Sequence, residues 1–299
     1  MPFTPSTPNT STDVSGQLQP LNRRWWEENP MTYDWARTLR LEVGSPEFFR
    51  AIDERFFQSS KTFGHPRYPA QIPFSTVIDY DALCGKPVLE IGCGAGGQAA
   101  VFARTGARIT AIDLTEQAVA LTRRRFALEG LIGNIQRGDA ERLAFADESF
   151  DLVWSWGVIH HTADIRQAVT EIHRVLKPGA AAKVMVYHRH SLRNWIHGGL
   201  AHGILRGKLL RMSYPDVLKS VTDGFIARQM TRGEVTGLFR DFRSVTTRLT
   251  DLSNLSHLPG YRLLDRYLVG RVISPATKLQ LDEAIMTRWG WFLYVEAVK

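Results

Sequence analysis

The chain has 299 residues, 44% of them hydrophobic and 10% aromatic, with a formal net charge of +7. That length and apolar content supply a full core and exclude general disorder, and no long apolar run marks a membrane-spanning helix. The two cysteines make no disulfide framework and no Cys/His cluster has zinc spacing, so no resident metal is expected and a reducing cytoplasm is the default location.

Residues 1–22 are rich in Pro, Ser and Thr with one charged side chain, Asp13, and lack the basic start and apolar centre of a signal peptide. They predict a disordered tail. Residues 23–84 predict a helical region with unusual aromatic density: Trp25, Trp26, Tyr33 and Trp35. Two readings stand there, a helix packed across the core and a lid over a ligand whose rings shield a cation. Ser45 and Pro46 cap the next helix, where Phe48, Phe49, Ile52, Phe56 and Phe57 follow helical spacing and read as core.

From residue 85 to 187 strand and helix alternate, as a parallel sheet covered on both faces requires. Strands are predicted at 87–91, 108–112, 134–137, 152–155 and 181–187, with Thr115 capping the helix that carries Val119, Thr122 and Phe126. The helix bearing Ile165, Val169, Ile172 and Val175 is predicted to stop at Lys177-Pro178-Gly179. The first strand runs into Gly92-Cys93-Gly94-Ala95-Gly96, and a carboxylate, Asp113, closes the second. A glycine turn followed by such a carboxylate grips a nucleoside, the carboxylate accepting from two ribose hydroxyls. The same glycines satisfy a dinucleotide fingerprint, so a nicotinamide-dependent oxidoreductase competes. Against it stand Glu90 inside the first strand, an anion suited to an amino-acid-bearing ligand, and the polar strand end Gly138-Asp139-Ala140-Glu141.

Five motifs in order are Val-Leu-Glu-Ile-Gly-Cys-Gly-Ala-Gly, Ile-Asp113-Leu-Thr, Gly-Asp139-Ala-Glu, Phe-Asp151-Leu-Val-Trp-Ser-Trp-Gly-Val-Ile-His-His and Arg174-Val-Leu-Lys-Pro178-Gly. Together they resemble the class I S-adenosylmethionine-dependent methyltransferases, closest to the type 11 group. The resemblance implies a doubly wound, mostly parallel, seven-stranded Rossmann-like α/β sheet with N-terminal helices and a helical cap. It implies S-adenosyl-L-methionine as cofactor and S-adenosyl-L-homocysteine as product. Glu90, Gly92, Cys93, Gly94 and Gly96 would hold the methionine end, and Asp113 with Leu114 the ribose. Asp139 and Ala140 would face adenine, while Ser155 and Trp156 would line the transfer site.

Residues 188–243 form a basic insertion, expected to be a helical cap, with ten Lys/Arg against four Asp/Glu. It reads as a solvated cap, a site for an anionic substrate, or a surface docking on an anionic membrane near a lipid-linked substrate. Nucleic acid is disfavoured, because no RNA-binding module is visible. Residues 244–299 carry two final strands, 244–249 and 291–298, expected as the antiparallel pair that closes the sheet, with roughly 40 residues between them. Base candidates at strand ends are His160 and His161, then Tyr187, His188 and His190, the last two facing the insertion. The expected activity is methyl transfer to a small-molecule acceptor, on oxygen ahead of carbon or nitrogen. A non-catalytic cofactor-binding or partner-binding module is the reading from another class. The acceptor itself and the oligomeric state are not legible.

Overall fold

In the computed structural model, the described residues are 11–30, 40–61, 72–250 and 274–299. The aromatic residues Tyr33 and Trp35 and most of the connection between the last two strands lie outside them.

The parallel core begins with β1 (Pro87–Ile91), β2 (Arg108–Asp113), β3 (Asn134–Arg137), β4 (Phe150–Trp156) and β5 (Leu176–His188). Helices α3 (Gly97–Arg104), α4 (Glu116–Glu129) and α5 (Ile165–Val175) make the crossovers. Beyond the basic insertion come β7 (Ser244–Thr250), helix α6 (Pro275–Trp289) and β8 (Phe292–Val298). The sheet order is β3-β2-β1-β4-β5-β8-β7. The last two strands pair antiparallel with each other, but β8 alone opposes the sheet, because β7 runs against β8 and therefore with β5. A further short strand, β6 (Gln229–Met230), pairs parallel with Tyr187 and His188 beyond the end of β4. It makes the sheet eight-stranded where seven were expected; two residues carry no periodicity that a sequence could betray.

Alternation along the strands divides the core into two layers. Leu89, Ile91, Val153 and the apolar stripe of α5 pack on one face. Val88, Leu152, Trp154, Phe102 of α3 and Val119 and Phe126 of α4 pack on the other. Thr115 caps α4 by accepting from the Ala118 amide, as its position predicts. Helix α5 does not run on to Pro178. It stops at Val175, and Leu176 pairs directly with Phe150, so Lys177-Pro178-Gly179 lies in a distorted start of β5, where Gly179 holds φ +78°.

The N-terminal segment departs most from expectation. Residues 11–22, read as tail, belong to helix α1 (Ser11–Glu28), which continues through Pro20. Side-chain anchors offset the ordering entropy of so polar a helix. Asn22 is 2% exposed and donates to the His161 carbonyl at 2.9 Å, while Gln19 donates to Asp139 at 2.8 Å. Helix α2 (Pro46–Lys61) packs Phe48, Phe49, Ile52 and Phe57 inward.

Candidate functional site

A cavity of about 200 Å³ opens at the carboxyl ends of β1, β2 and β4. It sits where the strand order reverses between β1 and β4, the switch point at which open α/β sheets bind ligands. Nine predicted cofactor residues line it: Glu90, Gly92, Cys93, Gly94, Asp113, Leu114, Asp139, Ala140 and Trp156.

Glu90 is 4% exposed and its Oε2 has no hydrogen-bond partner. Burial, and then the charge of Asp113, push its carboxyl well above the usual range. A buried carboxylate of this kind costs free energy until a donor or cation meets it. Asp113 is better satisfied. It accepts from the Gly94 amide at 3.1 Å, the Thr115 amide at 3.0 Å and the Thr115 hydroxyl at 2.9 Å. Three of about four acceptor directions are thus taken. One ribose hydroxyl fits the remainder, and the expected second would require Asp113 to release a protein donor.

The turn glycines divide by task. Gly92 holds φ +80°, and a Cβ there would lie 2.2 Å from Val158 Cγ2. Gly94 holds φ +54° and a Cβ on it would meet nothing within 4 Å, so it borders open space rather than packing. Gly96 does not line the cavity. It starts α3 at φ +76°, and a Cβ would press on Thr122 at 2.8 Å, so its glycine serves helix packing. Cys93 likewise turns its thiol to the Thr122 hydroxyl at 3.4 Å, and burial pushes that thiol well up, away from reactivity.

Ser155 is the other correction among the cofactor residues. Trp154 and Trp156 share the cavity-side layer, their rings stacked 5.3 Å apart at 7°. Alternation turns Ser155, fully buried, to the opposite face.

The base candidates scatter. His160 is fully buried outside the cavity with both ring nitrogens unpartnered, against His161 at 4.0 Å and Tyr187 at 4.2 Å. Burial holds it well below the usual histidine value, so it stays neutral. Tyr187, stacked on Trp291 at 4.7 Å, is raised to about 12 by burial and does not line the cavity either. His188 and His190 face a separate hollow, shared with Trp195, Arg232 and Arg288. His188 bonds the Gly290 carbonyl through Nδ1 at 3.1 Å, and burial lowers it to about 4. Among the described histidines, His161 alone reaches the cavity. Its Nδ1 lies 2.6 Å from the Ile226 carbonyl, which fixes the proton there and leaves Nε2 bare. Burial lowers its value to about 4.

Sequence reasoning missed Gln19 and Asn22 of the roof, read as tail, whereas Trp26 falls in the segment offered as a lid. Gln19, Asn22 and Trp26 of α1 line the cavity, and the Trp26 ring meets His161 edge-on at 5.1 Å. Their i, i+3, i+7 spacing marks one helix face, but Pro20 reads as a breaker. Ile52 and Phe56 of α2, read as core, also contribute to the cavity wall.

Residues 89–183 match the family model described as a methyltransferase domain. This stretch resembles a methyltransferase domain over about a third of the chain. A phthiotriol/phenolphthiotriol dimycocerosates methyltransferase of Mycobacterium tuberculosis is similar to this domain, 43% identical over 99 residues, which are 32% of this chain and 36% of that protein. A fatty-acid O-methyltransferase of Mycolicibacterium smegmatis is 40% identical over 115 residues, 38% of this chain and 41% of that protein. The matches thus span well under half the length of these curated relatives. A SAM-dependent methyltransferase of Thermotoga maritima shares the fold, with a TM-score of 0.51 and 19% identity over 90% of this chain and 100% of that one. The methyltransferase domain fits its class cofactor on two local observations, the orphaned Glu90 oxygen and the open space beside Gly94.

Proposed function

We propose that the protein transfers a methyl group from S-adenosyl-L-methionine to an oxygen of a small, lipid-like acceptor. The observation that carries this reading is Glu90, a buried carboxyl with its Oε2 unpartnered in a glycine-walled cavity at the switch point. Its anion matches the ammonium of an amino-acid ligand. When bound, the cofactor supplies a methyl carbon already activated by a sulfonium.

The protein's own part is alignment and exclusion of water. The backbone at Gly92 and Gly94 admits the ligand closely, Asp113 orients the ribose, and Asp139 with Ala140 borders adenine. Trp156 and Trp26 supply aromatic faces suited to a cation. His161 Nε2, on the ring that faces the cavity, would take the acceptor's hydroxyl proton when the bound cofactor supplies its methyl group. A base lowered to about 4 is weak, so approximation, not proton transfer, contributes most of the acceleration.

The choice of oxygen and of a lipid-like acceptor draws support from the relatives, one named for a dimycocerosate lipid and one for a fatty acid. The mostly apolar roof and walls, with Trp26, Ile52, Phe56 and Leu121, suit such a molecule.

Calorimetric titration with S-adenosyl-L-homocysteine, run beside NADH, tests the cofactor. Micromolar binding of the first, about −8 kcal/mol, with none of the second is expected. Binding of NADH alone would replace the reading with a dinucleotide enzyme. Turnover on a panel of hydroxylated lipids and fatty acids, scored by ether or ester against C-methyl product, tests the acceptor atom.

A further inference from the structure

Between residues 189 and 215 the chain contains no aspartate or glutamate, whereas Arg189, Arg193, Arg206, Lys208 and Arg211 fall inside that span. Its centre is a π-helix, Asn194–Leu205, followed by a short 3₁₀ turn, Lys208–Leu210.

The packing of this unit is inverted. A surface helix of a soluble protein buries its large apolar side chains and shows its small and polar ones. Here the buried positions are Asn194, Gly198 and Gly203. Close packing fixes the two glycines: a Cβ on Gly198 would lie 2.3 Å from Leu218 Cδ2, and one on Gly203 2.8 Å from Leu209 Cδ1. Asn194 is anchored by donating to the His188 and Arg189 carbonyls at 2.9 and 3.0 Å. The large side chains point outward instead: Ile204 is 65% exposed, Leu205 75% and Leu210 89%, with Trp195 and Leu200 exposed nearby. More than half of the exposed large hydrophobics among the described residues fall between 195 and 212. The rest are scattered along the chain, which is ordinary for a soluble surface.

Water is an unfavourable neighbour for so many clustered aliphatic groups. Interleaved with them are the cations Arg206, Lys208 and Arg211, the first and last exposed. Leucine, isoleucine and tryptophan on an outward tip, with arginine and lysine among them and no carboxylate, match the composition of helices that lie in a membrane interface. The charge complements anionic headgroups, and the apolar tips need no shaped pocket to receive them. We propose that residues 194–212 dock this protein on the surface of an anionic lipid bilayer, leucines entering the headgroup layer and Arg206, Lys208 and Arg211 contacting phosphates. The inference is independent of methyl transfer, because docking is read without donor or acceptor.

The test is co-sedimentation of the full chain with vesicles of phosphatidylcholine alone or mixed with phosphatidylglycerol. Binding to the mixed vesicles, weakened by added salt, is expected. The double variant Leu205→Ser/Leu210→Ser should lose at least about tenfold in partition constant. Arg206→Gln/Lys208→Gln/Arg211→Gln should lose the preference for the anionic lipid. Ile132→Ser, which alters a lone aliphatic 91% exposed elsewhere, should bind as the parent does. Matching melting temperatures tie any loss to the surface and not to the fold. Failure of the parent to sediment with anionic vesicles overturns the proposal, as does unchanged binding by the leucine variant. Self-association that the leucine variant abolishes, without vesicle binding, would make the patch a contact between copies and overturn it as well.

Discussion

Gly92 and Gly94 stand two positions apart, both at positive φ, yet they answer to different constraints. A side chain at Gly92 collides with Val158, whereas one at Gly94 meets nothing within 4 Å, in the space proposed for ligand. Gly92→Ala is therefore expected to lower stability by about 2 kcal/mol, the scale of overpacking. Gly94→Ala should cost about 1 kcal/mol of backbone strain while weakening S-adenosyl-L-homocysteine binding at least about tenfold. Parallel thermal melts and titrations separate the two effects; parent-like affinity in Gly94→Ala would remove that position from the cradle. Glu90 makes a pH prediction. Its raised carboxyl holds a proton at pH values where an exposed glutamate is ionised. A cationic ligand requires the anion, so binding releases the proton and affinity falls as pH is lowered through the raised value. Glu90→Gln should bind weakly at every pH and lack that dependence. Affinity measured across pH in buffers of different ionisation heat decides it, and a flat profile in the parent would place the ammonium elsewhere.

Among the elements, α2 and α4 are joined by one ion pair whose cation is buried. Arg125 of α4 has no exposed side-chain surface, donates to both oxygens of Asp53 at 2.9 Å and lies 4.5 Å over the Phe49 ring. Removing the carboxylate strands a charge in the core, so Asp53→Ala is expected to cost about 3–5 kcal/mol. Arg125→Met, which removes the charge and keeps the volume, should cost less. Urea unfolding midpoints rank the two, and the opposite order would mean that Asp53 acts only through packing. This pair was invisible in the sequence, where 72 residues separate its members. The parallel strands were legible to within a few residues, because strands buried on both faces read as continuous apolar runs between turn signals. Thr115, the glycine turn and Asp113 were legible because capping and positive φ restrict residue choice. Ser155 and Gly96 were misjudged because a motif fixes proximity in sequence, whereas strand alternation and helix packing decide which face a residue serves.

At the scale of the molecule, the less legible parts are those without an apolar period of their own. Helix α1 has too little hydrophobic surface to announce itself and is held by polar side chains on residues far along the chain, Asp139 and His161. The π-helix reverses the usual inside–outside pattern, which a periodicity reading of a solvated cap does not reveal. Its basic character was plain; its orientation needed coordinates. The histidines after β5 looked suited to catalysis because strand ends bind ligands, yet the chain turns His188 and His190 into their own hollow.

One contact of α1 reaches beyond the cavity. The Glu27 carboxylate accepts from the Glu116 amide at 2.8 Å, at the first residue of α4. An amide there is an orphan of the helix start, and an anion beside it also suits the helix dipole. The roof is thus latched to the same helix that carries Arg125. If ligand passes beneath α1, traffic through the site and fraying at the start of α4 become one event. The dwell time of a bound molecule would then be set by how often that latch slips, a clock wound by the first turn of a core helix and not by the affinity of the cradle alone.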